Sequence, residues 1–555
     1  MHCGSGFWGG QRPSLAHYVT GMGSMDGATA AGGRSCCLSS RLSTLVGKSE
    51  RYGAMSPSVD FGVDLRHTGG QNVDSGEVTM KQTDRTPSQP SLDNIQGLTL
   101  RPFGMPFMRY LVLTVKNPRA GRKYLGRLID GVSGLPQITP ATEWRTKPLK
   151  ALALGITYDG LRRLGIPDDS LTSFPIAYRE GAVKRADKVG DSGRNAPALW
   201  AGDLNSNKVH LILSVYGMTP EMREKASEEL VDAFVDCRAG TLLSQFDGHK
   251  FPDGKVHFGY TDGISNPIIR GMTPRHQYLA DGDQPEAPPG EFYLGYQNQF
   301  ASQDGGPSKY PVPKPDSLGM DGSYAAFRIL EQDVAGFEEF LKVRAQETGR
   351  DAEWIAAKLV GRWRNGNPLE LTPNTPDRQP PIPAKELNNY SYVETRPNDI
   401  NGTRCPIGAH MRRANPRDET VRGGDGSGSD HRIMRRAQPY GPLYNPDKPD
   451  KEKRGLIGNF IVGDLQAQFE FVMSQWVNGS DFTACLATDA RDPILSNHVS
   501  EFAIPISDDN CSNPGGESVS LKKKPQFVFT RGGAYCFLPS LTAVRWIANL
   551  TGRKL

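Results

Sequence analysis

The sequence predicts an α+β fold in which antiparallel strands alternate with helices. Short runs rich in Val, Ile, Leu and Tyr have the length and composition of strands. Several of these runs are followed by segments whose apolar side chains recur at helical spacing. Signals for antiparallel hairpins outnumber the crossover connections that a parallel sheet requires, which favours α+β over α/β.

The first half of the chain contains two predicted strand–helix pairs. Arg109–Val115 is predicted to be a short strand, and a helix through Leu125 follows it. Val209–Tyr216 is predicted to be a buried strand. Pro220–Cys237 is predicted to be a helix, because proline is favoured in a first helical turn and apolar residues recur along one face.

The second half repeats this scheme, so the sequence predicts two similar halves. Its predicted strands are Tyr324–Leu330 and Gly455–Val462, and its predicted helices are Val334–Val343, Leu465–Trp476 and Leu541–Leu550. Gln526–Phe537 is predicted to be a hairpin that turns at Gly532 and Gly533.

The length of 555 residues exceeds what one hydrophobic core usually supports, so two domains are expected. We expect a disordered extension over residues 1–90, domains over 91–275 and 322–555, and an insertion or linker over 276–321. The first segment is rich in Gly, Ser, Thr and Asp and has few large apolar residues. A start codon assigned in error too far upstream, with Met80 as a candidate for the actual start, would explain that segment equally well.

Composition excludes several classes of protein. The 65 basic and 61 acidic side chains nearly balance, which argues against a nucleic-acid partner. No run approaches 18 uninterrupted apolar residues, so no membrane span is expected. The eight cysteines form no Cys-x-x-Cys pair, which favours reduced thiols. With no charged and apolar leader at the start of the chain, a cytoplasmic location is predicted.

Three segments carry residues that suit redox or acid–base chemistry. Gly259–Gly263 (Gly-Tyr-Thr-Asp-Gly) places the carboxylate of Asp262 in a turn between glycines. Ile407–Arg413 places His410 after a Gly-Ala pair and before two arginines. His431–Gly441 contains Arg435 four residues before a Pro-Tyr-Gly turn.

Together, these segments resemble those of the dye-decolourising haem peroxidases, in their larger bacterial and fungal subgroup. The resemblance extends from about Leu92 to the C terminus. It includes the further stretches Ser173–Pro175, Arg179–Gly181, Phe327–Asp333, Val360–Trp363 and Arg531–Tyr535. It implies two ferredoxin-like halves, each an antiparallel sheet with peripheral helices, and haem b bound mainly by the second half. Without a Cys-x-x-Cys-His site, the haem is expected to be held non-covalently.

Histidines are the first candidates for an iron ligand. Of the ten in the chain, His257, His410 and His431 remain after those in the tail, in polar loops and in the strand at His210 are set aside. The residues alone leave these three open, although the small Gly-Ala pair before His410 would let a flat macrocycle approach. The resemblance implies that His410 is the ligand.

The resemblance also implies the other site residues. Asp262 is expected to carry the proton between the two peroxide oxygens, with activity favoured at mildly acidic pH, and Arg435 to be the cation beside it. Arg412, Arg413 and Arg432 are expected to contact the haem carboxylates, a role also open to Arg417 and Arg436. Asp492 is the candidate partner of the His410 ring, and its alternative role is to begin a turn before Pro493.

Bulky donors would not reach a buried haem, so surface aromatic residues are candidates for electron transfer. Trp476 and Tyr444 come first and Tyr440 third, although Trp476 also fits the apolar face of a helix and core packing is the more probable role.

The predicted function is therefore a haem peroxidase that uses hydrogen peroxide and organic electron donors. One alternative is a haem-handling protein of the deferrochelatase kind, which needs His410 but neither Asp262 nor Arg435. A chlorite dismutase-like enzyme is disfavoured, because it would lack the carboxylate at Asp262. The oligomeric state is open.

Overall fold

The computed structural model describes residues 89–131, 134–272, 286–301, 308–394, 397–421, 428–483, 490–498, 500–506 and 517–551. The disorder predicted for residues 1–90 lies almost wholly outside these ranges, as do residues 276–285 and 302–307 of the predicted insertion. The domain boundaries drawn from the sequence stay predictions.

The first half of the structure has the ferredoxin-like order of elements. Its strands form an antiparallel arrangement in the order β4-β1-β3-β2. Asn117 caps the helix after β1, and Thr219 caps the helix after β3 with Pro220 in its first turn. The elements are α1 (Gly97–Leu100), β1 (Phe107–Val115), α2 (Pro118–Asp130), β2 (Lys150–Ile156), α3 (Tyr158–Leu164), α4 (Asp168–Thr172), α5 (Ile176–Lys184), β3 (Leu211–Gly217), α6 (Pro220–Asp236) and β4 (Gly240–His249).

The second half repeats the same topology, with the strand order β10-β5-β7-β6. Asp333 and Asp464 cap the helical segments that follow β5 and β7. The elements are α7 (Asp316–Gly319), β5 (Ser323–Gln332), α8 (Val334–Thr348), α9 (Ala352–Val360), α10 (His410–Ala414), β6 (Met434–Tyr440), β7 (Gly455–Val462), the π-helical segments π1 (Leu465–Glu470) and π2 (Val472–Val477), β8 (Ser500–Pro505), β9 (Ser518–Lys524), β10 (Val528–Leu538) and α11 (Leu541–Ala548).

The two halves join edge to edge into one eight-stranded sheet through β2 and β10, which pair at Ile156 and Phe537. A buried ion pair between Arg328 of β5 and Asp191 also links them, at 2.5 Å. The prediction of an α+β fold with two ferredoxin-like halves is confirmed. Within the residues that the structure describes, every helix is too short or too polar to cross a membrane.

One prediction of local structure was wrong, and one predicted helix is of a different type. Gly532 and Gly533 do not turn a hairpin: they lie inside the single strand β10, next to an irregularity in its pairing with β5. A Cβ atom at Gly532 would lie 2.5 Å from Leu204, and one at Gly533 would lie 3.0 Å from Trp200. These glycines therefore allow close packing across the sheet. The helix predicted over Leu465–Trp476 is present, but as π1 and π2 rather than as an α-helix.

Candidate active site

A large cavity lies against one face of the second-half sheet. Its volume is about 240 Å³, and its sheet wall is formed by alternate residues of β5, β6, β7 and β10. Since successive strand residues point to opposite faces, this alternation means that the cavity covers one face only. The opposite wall comes from π1, π2 and α10. The apolar lining includes Leu330, Leu456, Phe460, Phe469, Val472, Met473, Val477, Ile494 and Val528.

His410 enters this cavity as the first residue of α10. A backbone turn from Pro406 to Ala409 precedes it, and Gly361 packs behind, where an added Cβ would meet Met411 at 3.2 Å and Ala409 at 3.7 Å. The His410 side chain remains 25% exposed, on the cavity side. Small residues therefore bring the backbone of α10 close to α9 and leave the imidazole at the cavity wall.

Asp492 supports the His410 ring from behind. Its Oδ2 lies 2.8 Å from His410 Nδ1, and its Oδ1 accepts the backbone N–H groups of Ile494 and Leu495. Burial alone would raise the pKa of Asp492, but the His410 ring and the two backbone donors outweigh it and leave the pKa below its ordinary value. The carboxylate is thus held ionised and directed at Nδ1.

Asp262 and Arg435 meet in the same cavity. Asp262 lies in a loop in which Gly259 and Gly263 have φ angles of +84° and +85°, a conformation that favours glycine. Arg435 lies on β6, and its backbone N–H donates to the side chain of Asn266. Arg435 Nη2 is 3.7 Å from Asp262 Oδ1, and both side chains are about two-fifths exposed, at 39% and 44%. The structure therefore brings Asp262, Arg435 and His410 together around one cavity.

Arg412 and Arg413 are not among the described residues that line this cavity, so the structure gives no support to the prediction that they contact a haem carboxylate. Arg412 is fully buried, donates to Glu419 and Asp399, and lies 4.2 Å over the ring of Tyr392. Arg413 donates to the carbonyls of Trp476, Gly479 and Ala490, and burial lowers its pKa to about 10. In both cases the neighbouring loops of the protein already bind the guanidinium.

Arg432 does line the cavity, and the fully buried carboxylate of Glu291 binds it through two hydrogen bonds of 2.9 and 2.6 Å. Burial raises the pKa of Glu291, and Arg432 counteracts that increase. Glu291 is a residue that the sequence did not indicate, because it lies in a proline-rich loop with no motif around it.

Arg417 is a further cationic residue of the wall. It donates to the carbonyls of Asn388 and Tyr390 and stacks 3.7 Å over the Tyr390 ring. One end of the cavity is polar and is lined by hydrogen-bonded side chains, namely those of Arg328, Asp191, Thr530 and Asn195. Sequence reasoning missed this end, because its residues come from distant segments.

The rival histidines occupy other environments. His257 lies outside the cavity lining, its Nε2 is 2.7 Å from the Tyr440 carbonyl, and burial lowers its pKa to about 4. His431 reaches the cavity wall, but its ring stacks at 3.7 Å on Phe471 and its Nδ1 lies 2.6 Å from the Ala467 carbonyl. His210 is buried and accepts the backbone N–H of Val115, as a packed core residue does.

The aromatic candidates for electron transfer differ in exposure. Trp476 is 1% exposed and packs edge-on against His431 and Phe471, so core packing accounts for it. Tyr444 is half-buried near Arg454, whose guanidinium lies 5.3 Å over its ring. Tyr440 is also half-buried, at the end of β6.

Several curated proteins with a similar sequence are dye-decolorizing peroxidases. No family model matches the chain. The dye-decolorizing peroxidase of Mycena epipterygia is 29% identical over 448 residues, 75% of this chain and 80% of that protein. Peroxidase 2 of Mycetinis scorodonius is 28% identical over 480 residues, 82% of this chain and 87% of that protein.

Solved structures show the same similarity. An ancestral D-type dye-decolorizing peroxidase matches with 28% identity and a TM-score of 0.66, over 82% of this chain and 99% of that one. A dye-decolorizing peroxidase in complex with 2,6-dimethoxyphenol matches with 25% identity and a TM-score of 0.66, over the same shares. In sequence and in fold, this chain is therefore similar along most of its length to fungal dye-decolorizing peroxidases.

Proposed function

We propose that His410 would hold the iron of a non-covalently bound haem b, and that Asp262 and Arg435 would act on hydrogen peroxide in the same cavity. The observation that carries this proposal is the convergence of these three side chains on one mainly apolar cavity. A bound haem would supply the redox chemistry: it would lose two electrons to peroxide and regain them one at a time from organic donors.

The cavity suits a flat, largely apolar cofactor. Gly458 and Ala437 are neighbours in the sheet wall of the cavity. A Cβ atom added at Gly458 would lie only 2.4 Å from the Cα atom of Ala437, so a larger residue does not fit there. With two such small residues side by side, no bulky side chain projects from this part of the wall. Branched and aromatic side chains cover both sides, while charged groups occur at the polar end and around Asp262. Arg432 and Arg417 line the cavity and are our candidates for binding the carboxylates of a haem.

His410 is suited to bind iron through Nε2, because Asp492 already engages Nδ1. A carboxylate behind a ligating imidazole fixes the orientation of the ring and raises its basicity. The ring N–H of His410 and the backbone N–H groups of Ile494 and Leu495 would keep that carboxylate in place behind an iron-bound imidazole.

Asp262 is suited to move a proton between the two oxygens of peroxide. Its carboxylate is within 3.7 Å of a guanidinium and partly exposed, so it can both accept and return a proton. Arg435 then stabilises the negative charge that develops as the O–O bond breaks. In the haem-handling alternative neither side chain has a role, and so their meeting in the cavity supports the peroxidase.

The donors that we propose are dyes and phenols, as the names of the relatives suggest. Tyr444 and Tyr440 are the candidates for an electron path to the surface, and Trp476 could act only as a buried relay. Loss of dye oxidation with retained peroxide reactivity in Trp476→Phe would support that relay. The cytoplasmic location and the absence of a nucleic-acid partner stay predictions.

An absorption spectrum tests the proposed function directly. Purified protein should show a haem Soret band that shifts on addition of one equivalent of peroxide and returns when a phenol is added. In the His410→Ala variant the position of the Soret band should change or the haem should be lost. A protein that binds haem but shows no spectral response to peroxide would favour haem handling instead.

A further inference from the structure

A second cavity of about 200 Å³ lies beside the first and extends to the other face of strand β6. The two cavities share Asp262, Arg435 and Ala437. A molecule bound in the second cavity would therefore contact the same aspartate and arginine that the proposed function places next to peroxide. Nothing in the proposed peroxide chemistry uses the rest of this second cavity.

Aromatic side chains form one wall of the second cavity. Phe103, Tyr216 and Phe251 are buried, with 2%, 4% and 5% of their surface exposed. Phe103 and Tyr216 pack edge to face, with ring centroids 5.1 Å apart. An apolar cavity of about 150 Å³ is large enough to hold benzene. The second cavity therefore has the volume and the wall for one substituted aromatic ring.

The charges around this cavity are mainly positive. Lys250, Lys255, Arg435 and Arg436 line it, against the single carboxylate of Asp262. Among the described residues, neither lysine has an ion-pair partner within 4.0 Å. Lys250 reaches solvent at the mouth, yet loss of surrounding water lowers its pKa and repulsion from Lys147 adds to that effect. An anionic ligand would relieve this repulsion.

Gln438 lines the same cavity and has a side-chain acceptor without a partner in the described ranges. Its side chain is 5% exposed, and its Nε2 donates to the carbonyl of Met105 at 2.9 Å. Its Oε1 is buried and has no hydrogen-bond partner in the described part of the chain. A buried amide oxygen without a donor is unfavourable, and a ligand hydroxyl would supply that donor.

We propose that the second cavity binds small hydroxylated aromatic carboxylates, with the carboxylate facing Lys250 and Lys255 and the hydroxyl donating to Gln438 Oε1. The further step, that such molecules are preferred electron donors, rests on the proposed function. Their oxidation would remove one electron, which a bound haem already oxidised by peroxide would accept, and the hydroxyl proton, which would pass to solvent. Lys250 is then the residue that selects anionic over neutral phenols.

The binding step is tested on the resting holoenzyme without peroxide. Calorimetric titration with 4-hydroxybenzoate and with its neutral methyl ester should give tighter binding of the acid. In Lys250→Gln the preference for the acid should fall about fivefold, the size expected for one partly exposed charge pair. Lys342→Gln, on the exposed side of α8, is the matched control and should keep the preference. Equal weakening of acid and ester, or no binding of the acid to the native enzyme, would overturn the proposal.

A second variant locates the hydroxyl group. Benzoate lacks the donor, so 4-hydroxybenzoate should bind the native enzyme more tightly than benzoate does, and Gln438→Met should abolish that difference. An unchanged difference would contradict the assignment. Turnover separates the two hypotheses: an active peroxidase with no preference for the acid disproves this inference alone. An enzyme that binds the acid but oxidises no donor with peroxide disproves the proposed function and leaves the site intact.

Discussion

The buried carboxylate of Asp492 accepts a hydrogen bond from the Nδ1 atom of His410 over 2.8 Å, and its other oxygen is fixed by two backbone N–H groups. Fixed in this way, the carboxylate cannot follow the ring if the ring turns. His410 therefore has one preferred orientation at the cavity wall, and its basicity depends on a neighbour 82 positions along the chain.

Replacement of Asp492 by Asn should weaken this support. We expect haem affinity or peroxidase activity to fall about 10- to 100-fold, and the reduction potential of the haem iron to rise as the imidazole becomes less basic. Spectroelectrochemical titration measures the potential, and Asp447→Asn, at an exposed loop position, is the control. An unchanged potential would show that Asp492 serves only to begin its turn.

Replacement of Arg435 by Leu should slow the reaction with peroxide about 10²- to 10³-fold, the range for removal of one preorganised donor. Stopped-flow absorption measures this rate. Arg436→Leu is a poor control, because Arg436 is buried and donates to the carbonyls of Leu98 and Leu100. Arg378, which is exposed, provides the matched substitution, and an equal effect there would refute the role of Arg435.

Replacement of Asp262 by Asn should remove the proton carrier and slow the peroxide reaction by about 10²- to 10⁴-fold. In the native enzyme the rate should be greatest at mildly acidic pH, because a carboxylate works at lower pH than a histidine base. Rates measured across the pH range check both statements. A native optimum at or above neutrality would identify a different proton carrier.

The buried ion pair of Arg328 and Asp191 should contribute strongly to stability. The two side chains are 2% and 1% exposed, and Thr530 donates to the same carboxylate. Removal of one partner leaves an uncompensated buried charge, so Asp191→Asn should reduce the free energy of unfolding by about 3–5 kcal/mol. Denaturant titration measures the loss. The double variant Asp191→Asn with Arg328→Met should be less destabilised than the sum of the single variants.

Glu370 should make stability depend on pH. Burial, followed by the charge of Asp399, raises its pKa to about 8, although Arg404 lies 2.5 Å away and counteracts the rise. Asp399 accepts hydrogen bonds from the backbone N–H groups of Arg404 and Cys405 and from the guanidinium of Arg412.

Protonated Glu370 stabilises the folded state, because its folded pKa lies above the ordinary value of 4.5. That contribution is complete below about pH 4.5 and is lost as the pH rises towards 8. Unfolding free energies measured from pH 5 to 9 should fall, and Glu370→Gln should flatten the curve. A curve of the same slope in the variant would assign the dependence to other groups.

Elements with a clear run of apolar residues, or with a clear helical period, were predicted well from the sequence. Gly455–Val462 matches β7 residue for residue, and Pro220–Cys237 matches α6 to one residue. The prediction failed at Gly532 and Gly533, because glycine pairs permit both turns and close packing and only the facing Trp200 decides between them. Periodicity also cannot separate a π-helix from an α-helix over one or two turns.

Prediction of the site was less complete, for a physical reason. Asp262, His410 and Arg435 each lie in a short sequence motif, and the resemblance of these motifs to a known family indicated all three residues. Whether an arginine faces the cavity depends on which carboxylates and carbonyls surround it. Arg412 and Arg413 follow His410 directly, yet distant segments such as Glu419 and Ala490 bind them away from the cavity.

The widened turns of π1 and π2 carry the cavity residues Phe469, Val472, Met473 and Val477. Deletion of one residue there would allow an ordinary α-helix, with better hydrogen-bond geometry. Every side chain beyond the deletion would then swing by roughly 100° about the helix axis. A shortened protein of this kind could gain helical order and still lose its haem, since the hydrophobic wall would face the wrong way.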